Sequence, residues 1–263
     1  MRDLPLISSL SNPTVKRVRA LRQGKARARS GLFVVEGFHH IGSALEAGWE
    51  LEHLLYAPEL LGGGFAAELL QAARGRGFAP QPVSTRVMEN LAEKDNPQGI
   101  LAVVHQQMAG LSEIRKPVRG VALVSPQDPG NVGSILRTIE AVGAGALFLL
   151  DGGVELFHPT LVRASMGTLF RIPVVQLDFQ AFQDWARQTE VRLVASSAHA
   201  EGDYLAASPV APPWVLVMGN EQKGLSPEQI AACDLAVAIP MRGRTSSLNL
   251  AVVAGILLYA LSR

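Results

Sequence analysis

The carboxyl-terminal part of the chain alternates short apolar runs with helical segments, and this alternation restricts the fold more than any other feature. The apolar runs span residues 121–125, 146–151, 171–177, 191–197, 214–219 and 235–240. Amphipathic or capped helical segments lie between them at 131–144, 158–170, 179–189 and 226–233. Such runs in alternation with helices are typical of a parallel sheet buried on both faces. We therefore predict an α/β domain with a mostly parallel sheet over residues 120–263.

The amino-terminal part predicts a smaller α/β unit over residues 31–107. Its strands are expected at 33–36, at 50–60, near residue 82 and at 100–105, and its helices at 37–48, at 64–77 and after residue 84. Residues 108–119, with Gly110 and Lys116, have the composition of a linker. A chain of 263 residues is long enough for two such domains.

The last stretch passes from a polar loop, residues 239–249, into the apolar segment Leu250–Leu261. A helix over that segment is about 18 Å long, too short to cross a bilayer, and its apolar residues face all sides. We therefore expect a helix buried in protein, with Ser246 or Ser247 as its N-cap. Its free amides and positive dipole end would then face a ligand, although an ordinary capped core helix has the same pattern.

Ligands of open parallel sheets bind beyond the carboxyl ends of the strands, which directs attention to three loops. These are residues 125–134, 219–226 and 239–249. In the first, a tight turn begins at Asp128, and Asn131 and Arg137 are expected to address one surface. In the second, Gly219 permits close backbone approach and Glu221 offers a carboxylate. The absence of a GxGxxG or phosphate-loop pattern argues against a dinucleotide oxidoreductase and a nucleotide triphosphatase.

Residues 1–30 concentrate positive charge. Eight Lys and Arg residues stand there against one acidic residue, which is a net charge of +7 in a chain whose total is +1. This block predicts an extension that binds a polyanion, with nucleic acid favoured because each phosphate contact adds affinity without a folded pocket. The alternative is a solvated, frayed arm. The side chains expected to contact phosphates are Lys16, Arg17, Arg19, Arg22, Lys25, Arg27 and Arg29.

Cysteine usage and hydropathy exclude several classes of protein. The single Cys233 forms no internal disulfide or cysteine metal cluster, and its apolar setting suggests a buried residue. His39 and His40 have no third ligand nearby, so we expect no metal site. With no leader-like segment and no apolar run of membrane-spanning length, we expect a soluble cytoplasmic protein.

Three motifs resemble those of a known family. The segments DPGNVGSILRTIEAVGA (128–144), VMGNEQKGLS (217–226) and IPMRGRTSSLNLAVVAGILLY (239–259) are similar to the motifs of the SpoU (TrmH-like) RNA ribose 2′-O-methyltransferases of the SPOUT superfamily. The resemblance covers about 140 residues, in the same order. FVVEGFHHIGSALEAG (33–48) resembles the small ribosomal-protein-like substrate-binding domain of the family's ribosomal-RNA members.

This resemblance implies a catalytic domain with a deep trefoil knot, S-adenosylmethionine as the methyl donor, no metal, and a homodimer with the active site near the subunit interface. It implies backbone contacts to the cofactor from Gly219, Ile239 and Leu248. It also implies a catalytic set of Asn131, Arg137, Glu221, Ser247 and Asn249.

The reaction would be a direct displacement of the sulfonium methyl by a ribose hydroxyl. The family's proposed base is the arginine, here Arg137, but a guanidinium stays protonated, so we expect it to clamp a phosphate instead. Glu221 either accepts a proton or fixes Arg137. The basic block favours ribosomal RNA as the substrate. The alternatives are a transfer RNA 2′-O-methyltransferase, a methyltransferase of a base nitrogen, and a non-catalytic RNA-binding relative.

Overall fold

The computed structural model describes residues 4–62, 64–93, 97–116, 118–198, 200, 202–245 and 247–263. Arg2 and Asp3, which contribute to the charge of the first block, lie outside the described residues. The chain divides into two compact units, residues 1–107 and 108–263. Among the described helices, none combines the length and the apolar composition needed to cross a membrane.

The described part of the first unit has a four-stranded sheet in the order β1-β4-β2-β3. Its strands are β1 (Leu32–Glu36), β2 (Leu51–Tyr56), β3 (Gln81–Pro82) and β4 (Ile100–His105). The central strand β4 pairs antiparallel with β1 and β2, and β3 pairs parallel with β2. Its helices are α1 (Pro13–Ala20), α2 (Gly24–Ser30), α3 (Phe38–Glu46), α4 (Gly64–Gly75) and α5 (Thr85–Leu91).

The basic block folds as helices α1 and α2 and belongs to the first unit. Asn12 caps α1 by accepting a hydrogen bond from the Thr14 amide, and Pro13 occupies the first helical position, where its missing N–H is not needed. Val15 and Val18 are buried in an apolar cluster with residues of the sheet and of α5. Burial of these two side chains anchors α1, so the helical part of the block, residues 13–30, is not a frayed arm.

One member of the expected phosphate-binding set is structural. Arg27 is only 2% exposed, and its guanidinium donates to the main-chain carbonyls of Leu21 and Arg22 at 2.7 and 2.9 Å. A guanidinium enclosed in this way satisfies the carbonyls where α1 ends and α2 begins. The expectation that Arg27 contacts phosphate is therefore wrong, because the charge alone does not reveal which face of a short helix is buried.

The described part of the second unit has a six-stranded sheet in the order β10-β8-β9-β5-β6-β7, with every neighbouring pair parallel. Its strands are β5 (Arg119–Val124), β6 (Ala146–Leu150), β7 (Val174–Leu177), β8 (Arg192–Ser196), β9 (Trp214–Met218) and β10 (Leu235–Val237). Its helices are α6 (Pro129–Ala141), α7 (Pro159–Ala164), α8 (Phe179–Gln188), α9 (Pro227–Ala231) and α10 (Leu250–Leu261). The predicted α/β class and mostly parallel sheet are confirmed.

The segment expected to be a linker packs on the second unit. Ile114 and Val118 are buried in the core cluster that includes residues of β5, β6 and β9. The Ala109 amide donates to the carbonyl of Val174 at 3.1 Å. The described residues of 108–119 therefore form the edge of the second unit rather than a free connection.

Helix α10 has the predicted bounds but a different cap and a different environment. Asn249 is the N-cap, since its side-chain oxygen accepts from the amides of Ala251 and Val252 at 2.9 and 3.4 Å. Ser247 is not the cap, and Ser246 lies outside the described residues. The expectation of burial on all sides is wrong for the single chain, because Val252 and Tyr259 are 49% and 58% exposed. They are seven residues apart, so they lie on one face of the helix.

Candidate functional site

The three loops predicted from the sequence meet in one cleft of the second unit. The cleft has a volume of about 640 Å³ and lies beyond the carboxyl ends of β5, β8 and β9. This volume is in the range of small-molecule sites, roughly 300–1,000 Å³. Residues from each of the three loops line it, and the predicted ones among them are Asn131, Gly219, Glu221, Ser247, Leu248 and Asn249.

The first loop turns directly into helix α6. Asp128 is the N-cap, and its carboxylate accepts from the amide of Asn131 at 2.9 Å. Pro129 fixes the backbone at the first helical position. This short, capped entry leaves Asn131 in the first turn of α6, where its side chain lines the cleft.

The second loop folds back tightly on itself at Gly219. A Cβ atom there would lie 2.0 Å from the carbonyl carbon of Gly224 and 2.3 Å from the amide nitrogen of Leu225. No side chain fits between those backbone atoms, so the residue must be glycine. The tight turn forms one wall of the cleft, which residues 219–222 and 224 line.

A chain of hydrogen bonds joins the three loops through Asn131. The Glu221 carboxylate accepts from the amides of Gln127 at 2.9 Å and Asp128 at 3.1 Å, and from the Asn131 side-chain amide at 3.4 Å. The Asn131 oxygen in turn accepts from the side-chain amide of Asn249 at 2.8 Å. Asn249 is thus bonded on one side to Asn131 and on the other to the first turn of α10.

Two predicted site residues do not line the cleft. Arg137 is exposed, and within the described part of the chain its side chain has no hydrogen bond or ion pair. It lies six residues after Asn131, a rotation of about 240° at roughly 100° per residue, which points the two side chains to different sides of α6. Ile239 is partly buried and follows β10, but it is not among the cleft residues.

Several cleft residues were not predicted from the sequence. Gln127, Ser196, Asn220 and Val253 line the cleft without having been singled out. Ser196 ends β8, so the rule that ligands bind beyond the carboxyl ends of strands was sufficient to find it. Asn220 stands between Gly219 and Glu221, and its place inside the same motif was the signal that could have found it.

The basic side chains of the first unit divide into paired and unpaired residues. Arg17 forms an ion pair with Glu52 at 2.5 Å, and Arg22 donates to the carbonyls of Asn90 and Ala92 at 2.8 and 2.9 Å. The exposed members of the predicted set that form neither an ion pair nor a side-chain hydrogen bond with a described residue are Lys16, Arg19, Lys25 and Arg29.

The chemistry of the described residues includes neither a metal cluster nor an activated thiol. No group of three or more His, Cys, Asp or Glu side chains in that part of the chain is arranged to hold a metal ion. Burial, together with the neighbouring Asp234, raises the pKa of Cys233 to about 12. This thiol is therefore protonated at neutral pH and is not a nucleophile.

Comparison with known proteins identifies the family. A model of the SpoU rRNA Methylase family matches residues 119–259. The chain belongs to this family. The matched range contains all three cleft loops of the SpoU domain, and a model of the MRM3-like substrate binding domain matches residues 12–102.

Relatives of the SpoU chain match it over most of their length. It is 35% identical to the 23S rRNA (uridine(2479)-2′-O)-methyltransferase of Streptomyces viridochromogenes, over 89% of this chain and 83% of that protein. It is 29% identical to the 23S rRNA (guanosine(2553)-2′-O)-methyltransferase RlmP of Bacillus subtilis, over 97% and 98% of the two chains. The crystal structure of an AdoMet-bound rRNA methyltransferase from Sinorhizobium meliloti superimposes with a TM-score of 0.88 at 34% identity, covering 98% of this chain and 97% of that one.

Proposed function

We propose that this SpoU chain transfers a methyl group from S-adenosylmethionine to a ribose 2′-hydroxyl of 23S-type ribosomal RNA. One observation carries the proposal: residues 131, 221 and 249, far apart in the sequence, are joined by hydrogen bonds at one cleft. Two relatives that match 89% and 97% of the chain are 23S rRNA 2′-O-methyltransferases. The match of a substrate binding domain to residues 12–102 and of the methylase family to residues 119–259 supports RNA binding by the first unit and catalysis by the second.

The cleft fits the methyl donor in size and in chemistry. Its walls combine backbone of the Gly219–Gly224 turn with the apolar side chains of Met218, Leu248 and Val253. Backbone N–H and C=O groups suit a polar amino-acid and ribose part, and apolar walls suit an adenine ring. S-adenosylmethionine would supply an electrophilic methyl carbon with a neutral thioether as the leaving group. We assign the cofactor contacts to Gly219 and Leu248, and Ile239 remains a proposed contact through its backbone.

Glu221 has a positioning role in this proposal rather than the role of proton acceptor. Its two carboxylate oxygens already accept hydrogen bonds from two main-chain amides and from Asn131. These bonds set the orientation of Asn131, whose side chain faces the cleft. Asn131, Ser247 and Asn249 then hold the ribose in line with the methyl carbon. Alignment of reacting groups contributes on the order of 7 kcal/mol or more in favourable cases.

Arg137 is proposed to bind the RNA phosphate next to the target ribose. Its guanidinium is exposed and has no described partner, so it is free to form a two-pronged contact with a phosphate. Because a guanidinium stays protonated, Arg137 does not act as a base, and its position outside the cleft suits a contact with the phosphate rather than with the reacting oxygen. The substitution Arg137→Lys tests this role. We expect a large fall in turnover with unchanged S-adenosylmethionine affinity, and retained turnover would contradict the need for a planar contact.

The exposed cations of the first unit are proposed to bind RNA phosphates. Lys16, Arg19, Lys25 and Arg29 carry charge that no described carboxylate neutralises. Removing one phosphate-binding cation should make the slope of log affinity against log salt shallower by roughly 0.7–0.9. Substituting these four residues by Gln and titrating ribosomal RNA at several salt concentrations measures that slope. A slope equal to that of the parent would contradict their role.

We also propose a homodimer and a knotted carboxyl end. The exposed face of α10 carries Val252 and Tyr259, apolar side chains that a second copy would cover. The chain leaves β10 at one edge of the sheet and returns to Asn131 beside β5, a long crossing that suits the family's trefoil knot. Light scattering of the parent protein and of the Tyr259→Glu variant tests the dimer. A parent that is monomeric at micromolar concentration would contradict it.

The decisive experiment is to map the product. The purified protein is incubated with methyl-labelled S-adenosylmethionine in two separate reactions. One reaction contains unmodified 23S ribosomal RNA and the other contains bulk transfer RNA. Nuclease digestion followed by mass spectrometry locates the label, and we expect it on a ribose 2′-oxygen of the 23S RNA. Label on a base nitrogen, label only on transfer RNA, or no label with intact RNA binding would each overturn the proposal in favour of a different function.

A further inference from the structure

Asn220 uses both ends of its side-chain amide inside the cleft. Its oxygen accepts from the backbone amides of Gln222 at 2.9 Å and Lys223 at 3.2 Å, which closes the turn that follows Gly219. Its nitrogen donates to the carbonyl oxygen of Ser125 at 2.9 Å, across 95 positions of sequence. One side chain therefore holds its own turn in shape and ties that turn to the loop after β5.

The backbone of Ser125 is in an unusual conformation at this contact. Its φ of 46° lies in the left-handed region, which is rare for residues other than glycine and persists only where the surroundings hold it. The Ser125 carbonyl accepts from Asn220 and from the side chain of Gln127 at 3.0 Å, and the Ser125 hydroxyl donates to the carbonyl of Asp151 at 3.0 Å. These bonds hold the first residue after β5 in that conformation.

The position of Ser125 matters because the Glu221 contacts begin two residues later. The backbone amides of Gln127 and Asp128 donate to the Glu221 carboxylate. The loop after β5 is therefore hydrogen-bonded to Asn220 at its start and to Glu221 at its middle. A shift of Ser125 would displace both amides relative to Glu221, and with them Asn131. An amide side chain donates and accepts at the same time, whereas a carboxylate of the same shape has no proton to donate at neutral pH.

We propose that Asn220 is a positioning residue that fixes the loop after β5 and the turn after β9 relative to each other, so that the cleft is shaped before the methyl donor binds. The inference rests on the proposed function, because the cleft is taken as the S-adenosylmethionine site. It adds a residue that does not itself react and that acts through Gly219 and Glu221.

Two substitutions separate the two halves of the side chain. Asn220→Asp keeps the acceptor bonds to the turn and removes the donor to Ser125, whereas Asn220→Ala removes both. Calorimetric titration of the full chain with S-adenosylmethionine should show a dissociation constant raised about tenfold for Asn220→Asp and more for Asn220→Ala, the factor expected for one or more lost hydrogen bonds. Because Asn220→Asp retains the turn, it provides a folded variant even where the alanine variant is unstable.

Hydrogen exchange gives a readout that general destabilisation would not produce. In Asn220→Asp the amides of Gln222 and Lys223 should stay protected while those of Gln127 and Asp128 exchange faster. In Asn220→Ala both groups should exchange faster. Equal protection of the Gln127 and Asp128 amides in Asn220→Asp and the parent would overturn the proposal.

Asn12→Ala is the matched control, since Asn12 also accepts from a nearby main-chain amide but caps α1 in the other unit. It should leave the dissociation constant for S-adenosylmethionine unchanged. A dissociation constant of Asn220→Ala for S-adenosylmethionine within twofold of that of the parent, or changed no more than that of Asn12→Ala, would overturn this inference but not the proposed function. A parent that binds S-adenosylmethionine but methylates no RNA would refute the proposed function and leave this result standing. A parent that fails to bind it would overturn both.

Discussion

The substitution Gly219→Ala tests the cleft most directly, because the structure gives the size of the perturbation. An added Cβ would lie 2.0 Å from the carbonyl carbon of Gly224 and 2.3 Å from both its oxygen and the amide nitrogen of Leu225. Carbon atoms in contact are normally about 3.5–4.0 Å apart, so the two backbone segments must separate by about 1.5 Å. All three neighbours are main-chain atoms, which cannot rotate away as a side chain does.

The expected loss of affinity follows from that overlap. Overpacking costs typically about 1–3 kcal/mol, and a clash between backbone atoms belongs at the upper end. Because S-adenosylmethionine is proposed to bind the closed turn, restoring that turn at a cost of about 3 kcal/mol would raise the dissociation constant by roughly two orders of magnitude. Calorimetric titration with S-adenosylmethionine measures this change, and thermal unfolding of the same sample separates an opened turn from an unfolded domain.

Gly145→Ala provides the control for this prediction. Gly145 lies between α6 and β6, and an added Cβ there meets no heavy atom within 4 Å. The affinity of this variant should equal that of the parent. If Gly219→Ala bound S-adenosylmethionine within threefold of the parent, the closed turn would not be part of the binding site and the reasoning from close backbone approach would fail.

Three further predictions concern other parts of the chain. Arg27→Met removes the hydrogen bonds from the buried Arg27 side chain to the carbonyls of Leu21 and Arg22, and it should lower the free energy of unfolding in urea by about 2–3 kcal/mol. Lys25→Met, at an exposed position, should weaken RNA binding and leave stability unchanged, and the reverse pattern would contradict both assignments. A hydrogen bond from Arg171 lowers the pKa of Glu140 from its ordinary value of 4.5, so this carboxylate stabilises the fold above that pH and the contribution is lost as the pH falls through the lowered value. Arg171→Ala should therefore flatten the acid decline of stability followed by circular dichroism, and an unchanged decline would refute this. Burial raises the pKa of Cys233 to about 12, so iodoacetamide at about pH 8 should label the native protein far more slowly than the urea-unfolded chain, and equal rates would disprove a shielded thiol.

The hydrophobic pattern predicted the second unit well because the central strands of its sheet contain continuous buried apolar runs. β9, Trp214–Met218, is buried at every position, and a continuous apolar run of that length between helices is typical of a strand covered on both faces. The exact ends of the helices were harder to predict, because they depend on hydrogen bonds from capping side chains. The cap of α10 was placed on a serine because serine and asparagine cap equally well, and only the position of the first helical residue decides between Ser247 and Asn249.

Charge was a poorer guide than hydropathy to individual residues. The excess of Lys and Arg in residues 1–30 is visible in the sequence, but the burial of Arg27 depends on how α1 and α2 turn relative to each other. In the same way, the spacing of Asn131 and Arg137 suggested one surface, whereas six residues of helix rotate the second side chain by about 240° from the first. Spacing along a helix predicts a common face only near three, four or seven residues.

The arrangement of the site explains why no single motif was sufficient. Asn131 donates to Glu221 and accepts from Asn249, so its two bonds use residues that arrive from β9 and from the loop after β10. The first of these contacts follows from the sheet, because β5 and β9 are neighbours and their carboxyl ends lie side by side. The second requires the chain to return from β10, at the edge of the sheet, to the middle. Helix α10 holds the returning chain in this position, since Ala254, Leu257 and Leu258 are buried and Asn249 caps the first turn of the helix. The apolar residues of α10 therefore contribute to the chemistry by fixing the amide that completes the Asn131 contacts.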